Sequence, residues 1–243
     1  MLSKSQIKLI TSLRQKKYRK QHGLFVVEGI KTINELLQSN FKLKYLYTVE
    51  SFNIDAINEI FISDDDLKRI SFLTNPNKAL ALFEIPDTEK IDESKLIIAL
   101  DDVRDPGNLG TIIRLCDWFG IMDLVCNIGT VDCYNPKVVQ ATMGSITRVN
   151  VTYLHLSEFL TQHKNTAYGA FMDGKNVYNT PLPNKGILVL GNEANGISKA
   201  VEDLIENKIA VPRFGNLVGA ESLNVATAAA ILLSEFRRQS TET

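Results

Sequence analysis

Apolar positions along the chain recur at two spacings, helical and strand-like, and the two alternate from end to end. Residues 3–17 carry Ile7, Ile10 and Leu13 at helical intervals, which predicts an amphipathic helix. A strand is expected at 24–27, a helix near 31–39, strands at 43–49 and 60–62, a helix from Asp64 and a strand at 79–85. The acidic run Asp64, Asp65 and Asp66 suits a helix N-terminus, where the dipole favours negative charge. Segment 86–94 (PDTEKIDES) is polar, acidic and led by proline, the composition of a linker. The expected division is therefore a small α/β domain over 1–90 and a second domain over 95–243.

The second domain opens with 95–103 (KLIIALDDV), a nearly continuous apolar run of the kind buried on both sheet faces. Helices are then expected at 109–119, 136–145, 157–164, 198–206 and 224–238. Strands are expected at 123–127, 149–154, 167–172, 186–190 and 208–211. This alternation predicts an α/β fold, a mostly parallel sheet with helices on both faces. Ligands in such sheets bind beyond the carboxyl ends of strands, and the glycine-rich polar loops of this chain fall there.

Composition narrows the class. A chain of 243 residues with 44% hydrophobic and 23% charged residues reads as a soluble globular protein. No apolar run is long enough to span a membrane, and the first twenty residues lack the apolar core of a signal peptide, so a cytoplasmic location is expected. Cys116, Cys126 and Cys133 form no CxxC pair, and His22, His155 and His163 show no zinc spacing. Asp101 and Asp102 are adjacent but have no further ligand beside them, so no metal is expected. Net charge is −1, which excludes a polyanion binder by bulk charge. Residues 1–20, however, hold Lys4, Lys8, Arg14, Lys16, Lys17, Arg19 and Lys20 with no acid. That run is either a phosphate-contacting surface or a solvated helix face.

Three loops carry candidate chemistry. In 105–114 (DPGNLGTIIR), Pro106 and Gly107 make a turn and Asn108 stands where a helix N-cap belongs. Arg114 follows among apolar Ile112, Ile113 and Leu115, so it either snorkels to water or meets an anion. In 190–196 (LGNEANG), Gly191 and Gly196 flank Asn192, Glu193 and Asn195, either a ligand cradle or a tight turn with a helix-capping acid. In 211–224 (VPRFGNLVGAESLN), Ser222 and Asn224 precede a small-residue helix that either could cap. Segment 169–176 (GAFMDGKN) nearly matches a P-loop, but Asn176 stands where magnesium needs Ser or Thr, and Asp173-Gly174 reads as a turn. No GxGxxG follows a first strand, so a dinucleotide site has no support.

Taken together, these residues resemble the SpoU/TrmH-type RNA 2'-O-ribose methyltransferases of the SPOUT class. Residues 105–114 with Gly120 are similar to the first family motif, 190–198 to the second, and 211–224 with the helix to Arg238 to the third. Residues 17–29 (KYRKQHGLFVVEG) resemble the family's L30e-like substrate-binding domain. Asn150 departs from a common proline at a strand start, away from the chemistry. The resemblance implies S-adenosylmethionine as cofactor, a homodimer, a C-terminal trefoil knot and RNA as substrate, ribosomal RNA favoured over tRNA. It assigns Arg114, Asn108, Glu193, Ser222 and Asn224 to catalysis. It assigns Met143, Gly144, Leu190, Gly191, Glu193, Val211, Pro212, Ser222 and Leu223 to cofactor binding. A free guanidinium is a poor base, so Arg114 is expected to hold an RNA phosphate, passing a proton through it, or to act as a base in an altered environment. The rival readings are a tRNA 2'-O-methyltransferase, a methyltransferase for a non-RNA substrate, and a catalytically silent dimer of the same fold that grips RNA.

Overall fold

The computed structural model describes residues 2–52, 58–162, 166–215 and 222–240. Two compact units emerge, 1–87 together with 132–147, and 88–131 together with 148–243. In the first, Ser3 caps α1 (Lys4–Ser12) by accepting from the Gln6 N–H, while the Gln6 side chain accepts from the Ser3 N–H. This reciprocal box satisfies two otherwise orphaned donors. The helix then stops and α2 (Lys16–His22) starts afresh, so the single helix expected over 3–17 is two. Arg19 is the reason. It is 2% exposed, and its Nη1 donates to the Leu13 and Arg14 carbonyls at 2.8 and 2.9 Å. An unbroken helix would have used those carbonyls itself. Its Nε and Nη2 reach Asp132 Oδ2 at 3.0 and 2.5 Å. Arg19 is thus an interior group, not part of a basic surface.

β1 (Leu24–Glu28), α3 (Ile30–Leu37), β2 (Leu43–Thr48), β3 (Glu59–Phe61), α4 (Asp64–Ile70) and β4 (Ala79–Glu84) follow. The sheet runs β1-β4-β2-β3, with β4 antiparallel to both neighbours and β3 parallel to β2. The acidic run opens α4 behind its capping Ser63, where its charge suits the dipole. Ile10 and Leu13 pack with Val26, Ile70, Leu80 and Leu82 in the core. Each such side chain contributes about 1.5–3 kcal/mol by leaving water.

The second unit begins with β5 (Leu96–Leu100), α5 (Pro106–Trp118) and β6 (Asp123–Asn127). The chain then supplies α6 (Pro136–Thr142) and a short 3-10 turn at Ser145–Thr147 to the first unit, a stretch that a cut at residue 95 would leave in the second domain. It returns as β7 (Asn150–Leu154), α7 (Leu156–Gln162), β8 (Ala167–Asn176), β9 (Gly186–Leu190), α8 (Lys199–Glu202), β10 (Asn207–Ala210) and α9 (Val225–Ser240). The strands are all parallel, in the order β10-β8-β9-β5-β6-β7, as the alternating pattern predicts. β5 and β9 are buried at every position.

Two expected elements differ. β8 continues to Asn176, so Asp173 and Gly174 lie in a strand rather than a turn. A Cβ on Gly174 would sit 2.5 Å from the Ile209 carbonyl carbon, which is how closely β10 passes it. α8 is one turn instead of nine residues, because the chain must straighten to enter β10 at Asn207. The helix expected over 157–164 is described over Leu156–Gln162, and His163 and Lys164 lie outside the described residues. Among the described residues no helix is long and apolar enough to cross a membrane, and no group of His, Cys, Asp and Glu could hold a metal. All three cysteines are buried thiols, and burial pushes the Cys116 thiol well above its ordinary range.

Candidate active site

From β5 the sheet grows through β6 and β7 on one side, and from β9 it continues to β8 and β10 on the other. The crevice beyond the carboxyl ends of β5 and β9 is therefore the switch point where open α/β sheets take ligands. Leu100 and Leu190 face each other across it in register. Asp101, 2% exposed, staples its walls. Its N–H donates to the Leu190 carbonyl at 2.9 Å. Its carboxylate accepts from Asn127 Nδ2 at 2.8 Å and from the Ser198 N–H at 2.7 Å. The loop after β9 is drawn equally tight. Asn192 and Gly196 exchange both backbone bonds at 2.9 Å. Asn192 Nδ2 donates to the Asp102 carbonyl at 2.6 Å, and its Oδ1 accepts from the Ala194 and Asn195 N–H groups. A Cβ on Gly191 would fall 2.2 Å from the Gly196 carbonyl carbon, so the position admits no side chain.

The two loops meet in one chain of hydrogen bonds. With Pro106 at the first turn of α5, the cap is Asp105, which accepts from the Asn108 N–H at 2.8 Å. Asn108 is thus not the N-cap its position in the sequence suggests, and its side chain is released. Its Nδ2 donates to Glu193 Oε1 at 2.9 Å, and its Oδ1 accepts from Asn224 Nδ2 at 2.8 Å. The carboxylate accepts only, which fixes the Asn108 amide, and that in turn fixes Asn224. Asn224 spends its own Oδ1 on the Ala226 and Thr227 N–H groups at 2.9 and 3.2 Å, capping α9. Glu193 also accepts from the backbone N–H of Arg104 and Asp105 at 3.4 Å. It caps no helix, since Ser198 holds that place for α8.

The remaining residues take no part in this chain of hydrogen bonds. Arg114 is exposed on α5, with Ile112 and Ile113 buried beneath, and among the described residues it has neither a hydrogen bond nor an ion pair. Ser222 is exposed and makes no hydrogen bond among the described residues. Leu223 beside it is 50% exposed. Val211 and Pro212 are half-buried just past β10. Met143 ends α6 in the left-handed region at φ +50, followed by Gly144 at φ +95, and both belong to the first unit. Residues 216–221 of the third motif lie outside the described residues. The structural roles of Asp101, Asp105 and Asn192 escape a reading of motifs. Pro106 is the signal for Asp105, because proline at the first helical position places the cap one residue earlier.

Residues 95–234 match the model of the SpoU rRNA Methylase family, and residues 4–81 match that of the MRM3-like substrate binding domain. The 23S rRNA (guanosine(2553)-2'-O)-methyltransferase RlmP of Bacillus subtilis is 30% identical over 234 residues, with 93% of each chain covered. A solved structure described as an RNA methyltransferase of the TrmH family, from Porphyromonas gingivalis, is 41% identical with a TM-score of 0.89, covering 98% of this chain and 99% of that one. An AdoMet-bound rRNA methyltransferase from Sinorhizobium meliloti gives 27% and 0.87, covering 98% and 97%. With both halves matched in order and three motifs folded into one crevice, the chain belongs to the SpoU rRNA methylase family.

Proposed function

We propose that this chain transfers the methyl group of S-adenosylmethionine to a ribose 2'-hydroxyl of ribosomal RNA. The observation that carries the reading is the Glu193–Asn108–Asn224 hydrogen-bond chain, with the uncommitted Arg114 guanidinium on the same helix as Asn108. The cofactor, when bound, supplies an electrophilic methyl on a sulfonium. The protein must hold the hydroxyl in line with that methyl and give its proton a path away. Arg114 offers a planar fork of donors that fits a phosphate in two places, and it anchors the RNA phosphate next to the reacting ribose. Asn224, pinned at both ends of its amide, and Ser222 orient the ribose. Glu193 keeps Asn108 in register.

The main chain of Leu190, Gly191, Val211, Pro212 and Leu223 holds the cofactor, with Glu193 and Ser222. The fit rests on what these positions offer: backbone, apolar surface and one residue where no Cβ is tolerated. The C-terminal trefoil knot of the class is proposed for this chain. A homodimer is supported by Trp118, 84% exposed at the end of α5 beside Met122 at 49%, an apolar pair that water covers poorly. The cytoplasm is the proposed location. The domain over 1–90 is the proposed RNA-binding part, with Lys4, Lys8, Lys16, Lys17 and Lys20 exposed on its first two helices. Mapping 2'-O-methyl groups in total RNA from cells with and without the protein tests the reading. One ribosomal site should lose its methyl group. A loss confined to tRNA would reassign the substrate, and no loss anywhere would favour the silent RNA-binding dimer.

A further inference from the structure

The first unit contains a cleft of about 640 Å³ between the outer face of α3 and the end of α6. Its size is in the range of small-ligand sites, about 300–1,000 Å³. Its chemistry is uneven for a solvated surface. Four primary amides converge there, Asn34 on α3 and Gln38 at its C-cap one turn on, Asn77 ahead of β4, and Gln140 on α6. All four side chains are exposed, and none has a hydrogen bond within the protein among the described residues. Lys31 adds one cation with no partner among the described residues, and Glu35 adds a negative charge.

Met143 completes the cleft with a half-exposed apolar side chain, held at φ +50 where residues other than glycine are strained. The next residue packs closely on α3, where a Cβ on Gly144 would approach the Glu35 side chain to 3.0 Å. A strained backbone that keeps an apolar side chain at the mouth of a polar cleft is the arrangement expected of a binding feature.

We propose that this cleft receives one unpaired nucleotide of the RNA, its base edge read by Asn34, Gln38 and Gln140 and its phosphate held by Lys31. The inference rests on the RNA reading given above. Side-chain amides present a donor and an acceptor together, which suits the paired groups on a base edge. Unpaired bases splayed from the strand are what sequence-specific RNA proteins read. Met143 lies against the base face, and the negative charge of Glu35 turns phosphate away from its side of the cleft.

The test uses the full chain, ribosomal RNA isolated from cells lacking the protein, and labelled S-adenosylmethionine. The Asn34→Ala/Gln38→Ala double variant should raise KM for RNA about tenfold, the effect of one lost two-point base contact. Its kcat and its affinity for S-adenosylmethionine should stay at the wild-type level. Both side chains are exposed and alanine favours helix, so the fold is kept; circular dichroism checks this. An unchanged KM overturns the proposal. If the wild-type protein methylates no RNA, the functional reading has failed, and photo-crosslinking the same RNA substituted with 4-thiouridine still decides the cleft. Weaker crosslinking in the double variant supports the cleft, and equal crosslinking overturns it.

Discussion

Asn108 and Arg114 leave the same helix under opposite conditions, one bound at both ends of its amide and the other without a partner among the described residues. Arg114→Ala should therefore abolish methyl transfer with little change in fold or cofactor affinity, read by activity assay and calorimetric titration of S-adenosylmethionine. Arg114→Lys separates two roles. An anchor that needs the fork should lose about tenfold or more in kcat/KM with lysine, whereas a base would be rescued as the pH rises towards the lysine range. A second residue-scale prediction concerns Glu28, 5% exposed at the end of β1. Burial holds its pKa above the ordinary 4.5, although Ser71 Oγ donates to it at 2.5 Å and the Phe72 N–H at 2.8 Å. Below pH 4.5 the group is protonated in both folded and unfolded chains and has no effect on the balance. As the pH rises past that value the unfolded chain ionises first, so stability falls until the folded group ionises too. Glu28→Gln should remove that fall, measured as urea midpoints across the same pH range.

At the scale of elements, the site is placed by loops that glycine and capping residues close tightly. Gly191→Ala forces a carbon into the Gly196 backbone, and the Asn192–Gly196 bridge must open to admit it. The expected cost is about 1–3 kcal/mol by denaturant unfolding, with a larger loss of activity because Glu193 rides on that loop. Much of this level was legible beforehand. β6 and β9 begin and end where their apolar runs do, and the small-residue helix α9 starts one residue from its expected place. The errors arise from contacts that the pattern of apolar positions does not show. Nothing in 169–176 announces that β10 will lie against Gly174 and hold that segment straight. No glycine or proline marks the break between α1 and α2, which exists because Arg19 needs the carbonyls there. Asn108, Glu193 and Asn224 were legible as a set only through the family resemblance, and their mutual bonds cross 85 and 116 residues.

At the scale of the whole molecule, the Arg19–Asp132 pair joins residues 113 apart and is the deepest ion pair of the first unit. Breaking such a pair from one side strands a charge in the interior. Arg19→Met should cost about 3–5 kcal/mol, and Arg19→Met with Asp132→Leu should recover most of it, as judged by urea titration of the three proteins. If the double variant is as unstable as the single one, packing and not charge explains the loss. The pair also governs the order of events during synthesis. The ribosome releases the first 87 residues early, but their interior arginine finds its counter-charge only after β5, α5 and β6 have been made and the chain has doubled back. The unit built on residues 1–87 therefore cannot close until more than half of the 243 residues have been made.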